Sequence, residues 1–422
     1  MKTNLLVLAA SALALASAGS ASAGYKEKTL YDFCSKANCT DGAQPYQRLV
    51  MDSSGVLYGS TVTGGKANVG LVFELVPDAG KYKLTILYTF GSADGLASPT
   101  GDLILDKDGS LYGVTYGGGA YGLGTVFRLT YGGSKWKLAV LYQFSGADGE
   151  GPIAGLAYIG QANGKRWDET SPLFGTTTQG GTYGNGVAYE LVRNGSNWTE
   201  TVIHNFEDSS DPDGLVEDSS GNLWGTTSNG GEYGGGLMYE LANDGSWTQT
   251  VVYRFCSSQN CADGAYPRGR LYMDSSGNLF GVTSQGGTGA QCPIGPGCGT
   301  VFERRSGGTY SVLYNFCSVA NCTDGQLPYA GLIMGSGHLF GTTAYGGANC
   351  KSESGCGTAF RLTNKNGTWS ESVLYNFCSK ARCVDGVDPG AAMIMDAAGD
   401  LFGMTEGGEQ KSNGNAFELK PK

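Results

Sequence analysis

One pattern returns seven times along the 422-residue chain. A repeat of this length restricts the fold more than any composition does. Each copy opens on an aromatic strand, first at Leu30-Tyr31-Asp32-Phe33 and last at Leu374-Tyr375-Asn376-Phe377. An aspartate follows, usually before glycine: Asp41, Asp94, Asp148, Asp208, Asp263, Asp324 and Asp385. A proline comes four or five residues on in every copy: Pro45, Pro99, Pro152, Pro212, Pro267, Pro328 and Pro389. The third element reads Leu-aromatic-Gly-x-Thr, from Leu57–Thr61 to Leu401–Thr405, and a Gly-Gly pair stands just beyond it. A fourth run, as in Gly70-Leu71-Val72-Phe73-Glu74-Leu75, completes the unit. Six steps between Tyr31 and Tyr375 span 344 residues, a period of about 57.

The runs are short, aromatic and β-branched, with Gly, Pro, Asp or Ser at their ends. That is strand chemistry with turn punctuation, and helical periodicity is absent. Four strands make a small antiparallel sheet, which cannot stand alone in water. Seven such sheets stacked round an axis bury each other's faces. The expected fold is therefore all-β, a seven-bladed β-propeller of four-stranded antiparallel blades. Residues 391–419 supply only three strands to the last unit, while Lys28–Phe33 is a spare at the start. The N-terminal strand is expected to complete blade 7 and close the ring.

Glycine numbers 71 and charged residues make up only 16% of the chain. The net charge of −10 argues against a nucleic-acid binder, which would show a Lys/Arg stripe. Residues 1–23 read as a signal peptide: Lys2, an apolar run from Leu5 to Ala16, and a small-residue site at Ala21-Ser22-Ala23. The apolar run is short for a membrane span. The expected mature protein is one domain, 24–422, secreted to the periplasm or beyond, with no transmembrane segment. The twelve cysteines form six close pairs: Cys34/Cys39, Cys256/Cys261, Cys292/Cys298, Cys317/Cys322, Cys350/Cys356 and Cys378/Cys383. An even count in an exported chain favours disulfides over a metal site.

The run Cys317-Ser318-Val319-Ala320-Asn321-Cys322-Thr323-Asp324-Gly325, together with Gly221-Asn222-Leu223-Trp224-Gly225-Thr226-Thr227, resembles the GloVer tandem-repeat proteins, secreted bacterial proteins of mostly unassigned activity. The resemblance covers nearly all of 27–419. It implies a kelch-like or quinoprotein-like propeller and transfers no catalytic residue.

With the aromatic strand outermost, the Asp-Gly-Pro segments join successive blades, and the Gly-Gly segments join the second and third strands of one blade. Both kinds of loop leave the same face. Every expected bridge then lies on that face, in blades 1, 5, 6 and 7, while blades 2 to 4 have none. The seven aspartates make it the candidate binding face, although Asx turns alone account for residues of this type. Asp52, Asp274 and Asp396 read as turn residues in the same way. His204 and His338 have no nearby sequence partner and read as packing or exposed groups. No nucleophile elbow or phosphate loop occurs, and no cofactor or metal is called for, though calcium stabilisation stays a candidate. The expected role is a monomeric, non-catalytic binding or structural module for carbohydrate or cell-envelope components. The rival is a propeller-fold polysaccharide hydrolase or lyase, which would need paired carboxylates from distant units.

Overall fold

The computed structural model describes residues 24–422 apart from 92–94, 162–163, 209–210, 290–291, 293–296, 349–355 and 409–412. The expected leader, Asp94 and Cys350 lie outside the described residues. Seven antiparallel sheets follow one another, six of them four-stranded. In each, the strands run in order from the axis outwards. Blade 1, for example, is Val50–Met51, Leu57–Thr61, Leu71–Asp78 and Lys81–Thr89. Blade 7 combines Ile394–Met395, Leu401–Thr405 and Asn415–Pro421 with the N-terminal strand Tyr25–Asp32. Tyr31 pairs with Ala416 and Asp32 with Asn415, so the first strand closes the last sheet as the repeat count required.

Blade 3 departs from four strands. Its inner strand shrinks to one bridge, Ala157 with Phe174. The insertion Gly160–Ser171 explains why. Its Trp167 is fully buried, packs edge-on to Tyr112 of blade 2 at 4.9 Å, and donates its indole N–H to the Ser171 carbonyl. The chain that would have continued the inner strand fills the space between blades 2 and 3 instead.

The repeated residues explain how blades stack. The phenylalanine of each outer strand meets an aromatic ring on the third strand of the next blade. Phe33–Phe73, Phe90–Phe127, Phe144–Tyr189, Phe206–Tyr239, Phe255–Phe302, Phe316–Phe360 and Phe377–Phe417 stand 4.9–5.3 Å apart. Tilted and edge-on pairs at this spacing add to simple burial. The glycine of Leu-aromatic-Gly-x-Thr makes room for that ring: a Cβ on Gly403 would stand 2.5 Å from the Phe417 ring. Among the described residues no helix is long and apolar enough to cross a membrane.

Candidate functional site

The inter-blade loops and the Gly-Gly loops do share a face. The Gly65 N–H donates to the Cys39 carbonyl at 2.9 Å, Gly287 to Cys261 at 2.8 Å and Gly347 to Cys322 at 3.0 Å. Five bridges are formed there, joining Cys34–Cys39, Cys256–Cys261, Cys292–Cys298, Cys317–Cys322 and Cys378–Cys383. Cys356 is disulfide-bonded as well. Sulfurs of neighbouring bridges gather: Cys298 with Cys317 and Cys322, and Cys356 with Cys378 and Cys383. Their thiols are used up in disulfides, so these clusters are not free metal ligands.

The repeated aspartates hold these loops in shape. Asp41 accepts from the Tyr31 hydroxyl at 2.8 Å, the Ser35 hydroxyl at 2.6 Å and the Ser35 N–H at 3.0 Å. Asp263, Asp324 and Asp385 repeat this arrangement with Tyr253, Tyr314 and Tyr375. Asp148 does so with Tyr142 and Ser145, and Asp208 lies within 3.4 Å of the Gly231 N–H. Burial pushes the Asp41 and Asp148 carboxyls up, but the tyrosine, serine and backbone donors outweigh it and hold both below the ordinary value. Because the tyrosines belong to outer strands, these aspartates sit away from the axis. None of the described six lines the axial cavity.

That cavity is about 970 Å³, and residues from all seven blades line it. Most of its side chains come from the short segments beside each repeat proline, and Val62, Tyr345 and Glu406 come from the loops after the Leu-aromatic-Gly-x-Thr element. These stretches bear small residues in some blades and large polar ones in others. On the bridged side the lining carries Tyr46, Tyr329, Tyr345, Asp388 and Glu406, with Arg268 close to Tyr329. Glu406 stands where the other blades have Val62, Tyr116, Thr178, Ser228, Ser284 and Ala344. Its carboxylate lies over Gly390, so near that a Cβ there would be 2.1 Å from Oε1. Gly390 occupies the position of Tyr46, Arg268 and Tyr329 in other blades, and its missing side chain is the space that Glu406 fills.

The Glu406 N–H donates to the Asp388 carbonyl at 2.9 Å, and the Tyr46 hydroxyl is within hydrogen-bonding reach of the Glu406 carboxylate. Burial raises Asp388 to about 6. Burial and the Asp388 charge raise Glu406 to about 7, against the Tyr46 hydrogen bond. Near neutral pH the pair therefore offers both a proton donor and an acceptor, the behaviour of like charges in a desolvated cleft.

Deeper in the cavity the inner strands are stapled together. Asp102 of blade 2 accepts the Arg48 N–H of blade 1 at 3.0 Å, and Asp213 of blade 4 accepts the Gly269 N–H of blade 5 at 2.6 Å. Arg270 reaches from blade 5 to blade 3, donating from Nη2 to the Gly155 and Leu156 carbonyls at 2.7 and 3.1 Å. Among the described residues, the Nε atoms of Arg48, Arg268 and Arg270 are buried without a hydrogen-bond partner. Buried donors of this kind are costly unless something accepts from them. Sequence reasoning missed this whole group. The signal was available as departures from the repeat at positions beside the prolines and after the Leu-aromatic-Gly-x-Thr element.

The sequence profile of the Gloeobacter/Verrucomicrobia repeat matches residues 22–167 and 161–417. The chain belongs to this family. Among curated proteins none matches it. Solved structures similar to this member of the repeat family are distant. A gluconolactonase from Xanthomonas campestris shares 15% identity over 94% of this chain and 90% of its own, with a TM-score of 0.40. A putative 6-phosphogluconolactonase from Bacteroides uniformis shares 12% over 78% and 86%, with a TM-score of 0.47. A putative oxidoreductase (glucose dehydrogenase) from Thermus thermophilus shares 15% over 77% and 97%, with a TM-score of 0.43. No activity is carried over from them to the Gloeobacter/Verrucomicrobia repeat.

Proposed function

We propose that this protein is an exported, monomeric carbohydrate-binding propeller whose ligand enters the axial cavity from the bridged face. One observation carries the reading: tyrosines and polar side chains that break the sevenfold pattern converge in that cavity. Such a mixture suits a sugar, which presents C–H faces to aromatic rings and hydroxyls to charged donors and acceptors. The disulfides suit an oxidising compartment outside the cytoplasm. The aspartates of the face keep its loops in place, and the sugar contacts fall to the axial residues. The test is a glycan array probed with the mature chain, followed by titration of Tyr329→Ala and Glu406→Gln. Binding of a glycan class, weakened at least tenfold by each substitution, supports the reading. An array without a single hit overturns it.

The second reading is hydrolysis or elimination on a polysaccharide. It draws on the Asp388–Glu406 pair, since paired acids with raised pKa values serve as general acid and base. Release of reducing ends or unsaturated products from a bound glycan, abolished by Glu406→Gln, would favour it over binding alone.

A further inference from the structure

The loops between second and third strands differ between the two halves of the bridged face. Blades 5 and 6 carry cysteines there; blades 2, 3 and 4 read Gly-Gly-x-Tyr-Gly-x-Gly. Tyr121, Tyr183 and Tyr233 hold the same place in these three loops, and they are 64%, 52% and 48% exposed. The turn beneath each is the same. The Gly122 N–H donates to the Gly119 carbonyl, Gly184 to Gly181 and Gly234 to Gly231, at 3.1–3.4 Å, with tyrosine third in the turn. Repetition about the axis therefore presents three rings in one manner on three consecutive blades. Blade 1 builds this turn too, Asn68 to Gly65 at 3.3 Å, but places Ala67 where the ring would be.

Two observations narrow the occupant. No lysine or arginine occurs in the loops of this sector, 119–124, 144–155, 177–186, 206–215 and 228–236, whereas Glu207, Asp208 and Glu232 do. An anionic polymer would be repelled. The row also leads inward. Tyr116 is 44% exposed beside Gly151, and Ile153, 37% exposed, already lines the axial cavity.

We infer that Tyr121, Tyr183 and Tyr233 form a platform for an extended neutral polysaccharide whose end or side branch occupies the axial cavity. This rests on the carbohydrate reading of the cavity. Large exposed rings at successive repeats suit a polymer with its own repeat, because each ring stacks on one sugar face while water still reaches the hydroxyls.

The test is affinity electrophoresis in gels containing xylan, hydroxyethyl cellulose, mixed-linkage β-glucan or polygalacturonate. It is paired with calorimetric titration of a tetrasaccharide cut from the polymer that retards the protein. Wild type should be retarded by a neutral polymer and not by polygalacturonate. The triple variant Tyr121→Ala/Tyr183→Ala/Tyr233→Ala should lose at least tenfold in polymer affinity while keeping tetrasaccharide affinity. Ala67→Tyr should strengthen retardation. Unchanged retardation of the triple variant, preference for polygalacturonate, or no retardation by any neutral polymer would overturn the platform. If the cavity variants Tyr329→Ala and Glu406→Gln leave tetrasaccharide binding intact, the cavity reading fails and the platform stands by itself.

Discussion

Asp41 is fully buried and accepts from Tyr31, from both donors of Ser35 and from the Lys36 N–H at 3.2 Å. Asp41→Ala leaves these donors without an acceptor, which should cost about 2–4 kcal/mol. Denaturant melts of the variant check this; a midpoint equal to wild type would show the loop to be held by its bridge alone. Glu371 behaves in the opposite sense. Its Oε1 is buried without a partner among the described residues, and burial, followed by the Asp324 charge, raises it to about 8. Glu200 occupies the same register in blade 3 and is raised to about 7 by burial and by Asp148. A carboxyl raised in the folded state favours folding while it is protonated there. That stability is fully present below the unfolded value near 4.5 and is lost as pH climbs through the folded one. Melting temperature should therefore fall by a few degrees between pH 5 and pH 8.5. Glu371→Gln should flatten that decline; parallel profiles for variant and wild type would sink the assignment.

At the level of blades and joints, the residues that recur are those that fit one sheet to the next. Gly414 has φ +94° and abuts the next blade: a Cβ there would stand 2.2 Å from the Thr405 carbonyl oxygen and 2.5 Å from Pro45 Cδ. The pairs Gly70–Pro99, Gly124–Pro152, Gly236–Pro267, Gly299–Pro328 and Gly357–Pro389 make the same contact. Gly414→Ala should cost roughly 2–4 kcal/mol through strain and overlap. Gly307→Ala, in an open turn, is the control and should be nearly neutral. Equal melting temperatures for the two variants would contradict the fit of the joint. These recurrent contacts made blades, order and closure legible in the sequence, because each joint needs the same small and ring-shaped residues. Blade 3 was less legible: Trp167 takes its partners, Tyr112 and Trp198, from two different blades. The cavity was hardest to read. Glu406 and Tyr46 meet only because the ring brings the last blade beside the first, and no local pattern announces a contact across that closure. Asp388 was hidden for a further reason. It occupies a pre-proline position with positive φ in every blade, as do Gln44, Ser98 and Leu327, so its backbone follows the repeat and only its side chain departs.

The ring as a whole has no privileged joint. The closing contact Phe33–Phe73, at 4.9 Å, matches the six internal ones, and the Lys422 N–H reaches the Gly24 carbonyl at 3.1 Å. Covalent ends are therefore a choice of where to cut rather than a property of the architecture. Blade 7 is itself built of one strand from the start of the ring and three from its end, so that peeling either part away must break a sheet. A circular permutant joining Lys422 to Gly24 through a short linker, with new ends between Gly307 and Gly308, divides blade 5 in the same ratio. It should fold as a monomer and melt within a few degrees of wild type. A second permutant, opened between Gly42 and Ala43, leaves all seven blades whole and the ring joined only by non-covalent contacts between blades 7 and 1, among them the hydrogen bonds from the Gln44 N–H to the Asn413 carbonyl at 2.7 Å and from the Gly65 N–H to the Cys39 carbonyl. It loses the interlocking strand while keeping every aromatic joint, and it should melt well below the first and with a broader transition. Matching melts for the two would show that packing and hydrogen bonds between blades hold the wheel shut without the interlocking strand. Failure of the first permutant to fold would show that the natural joint contributes something that the other six lack.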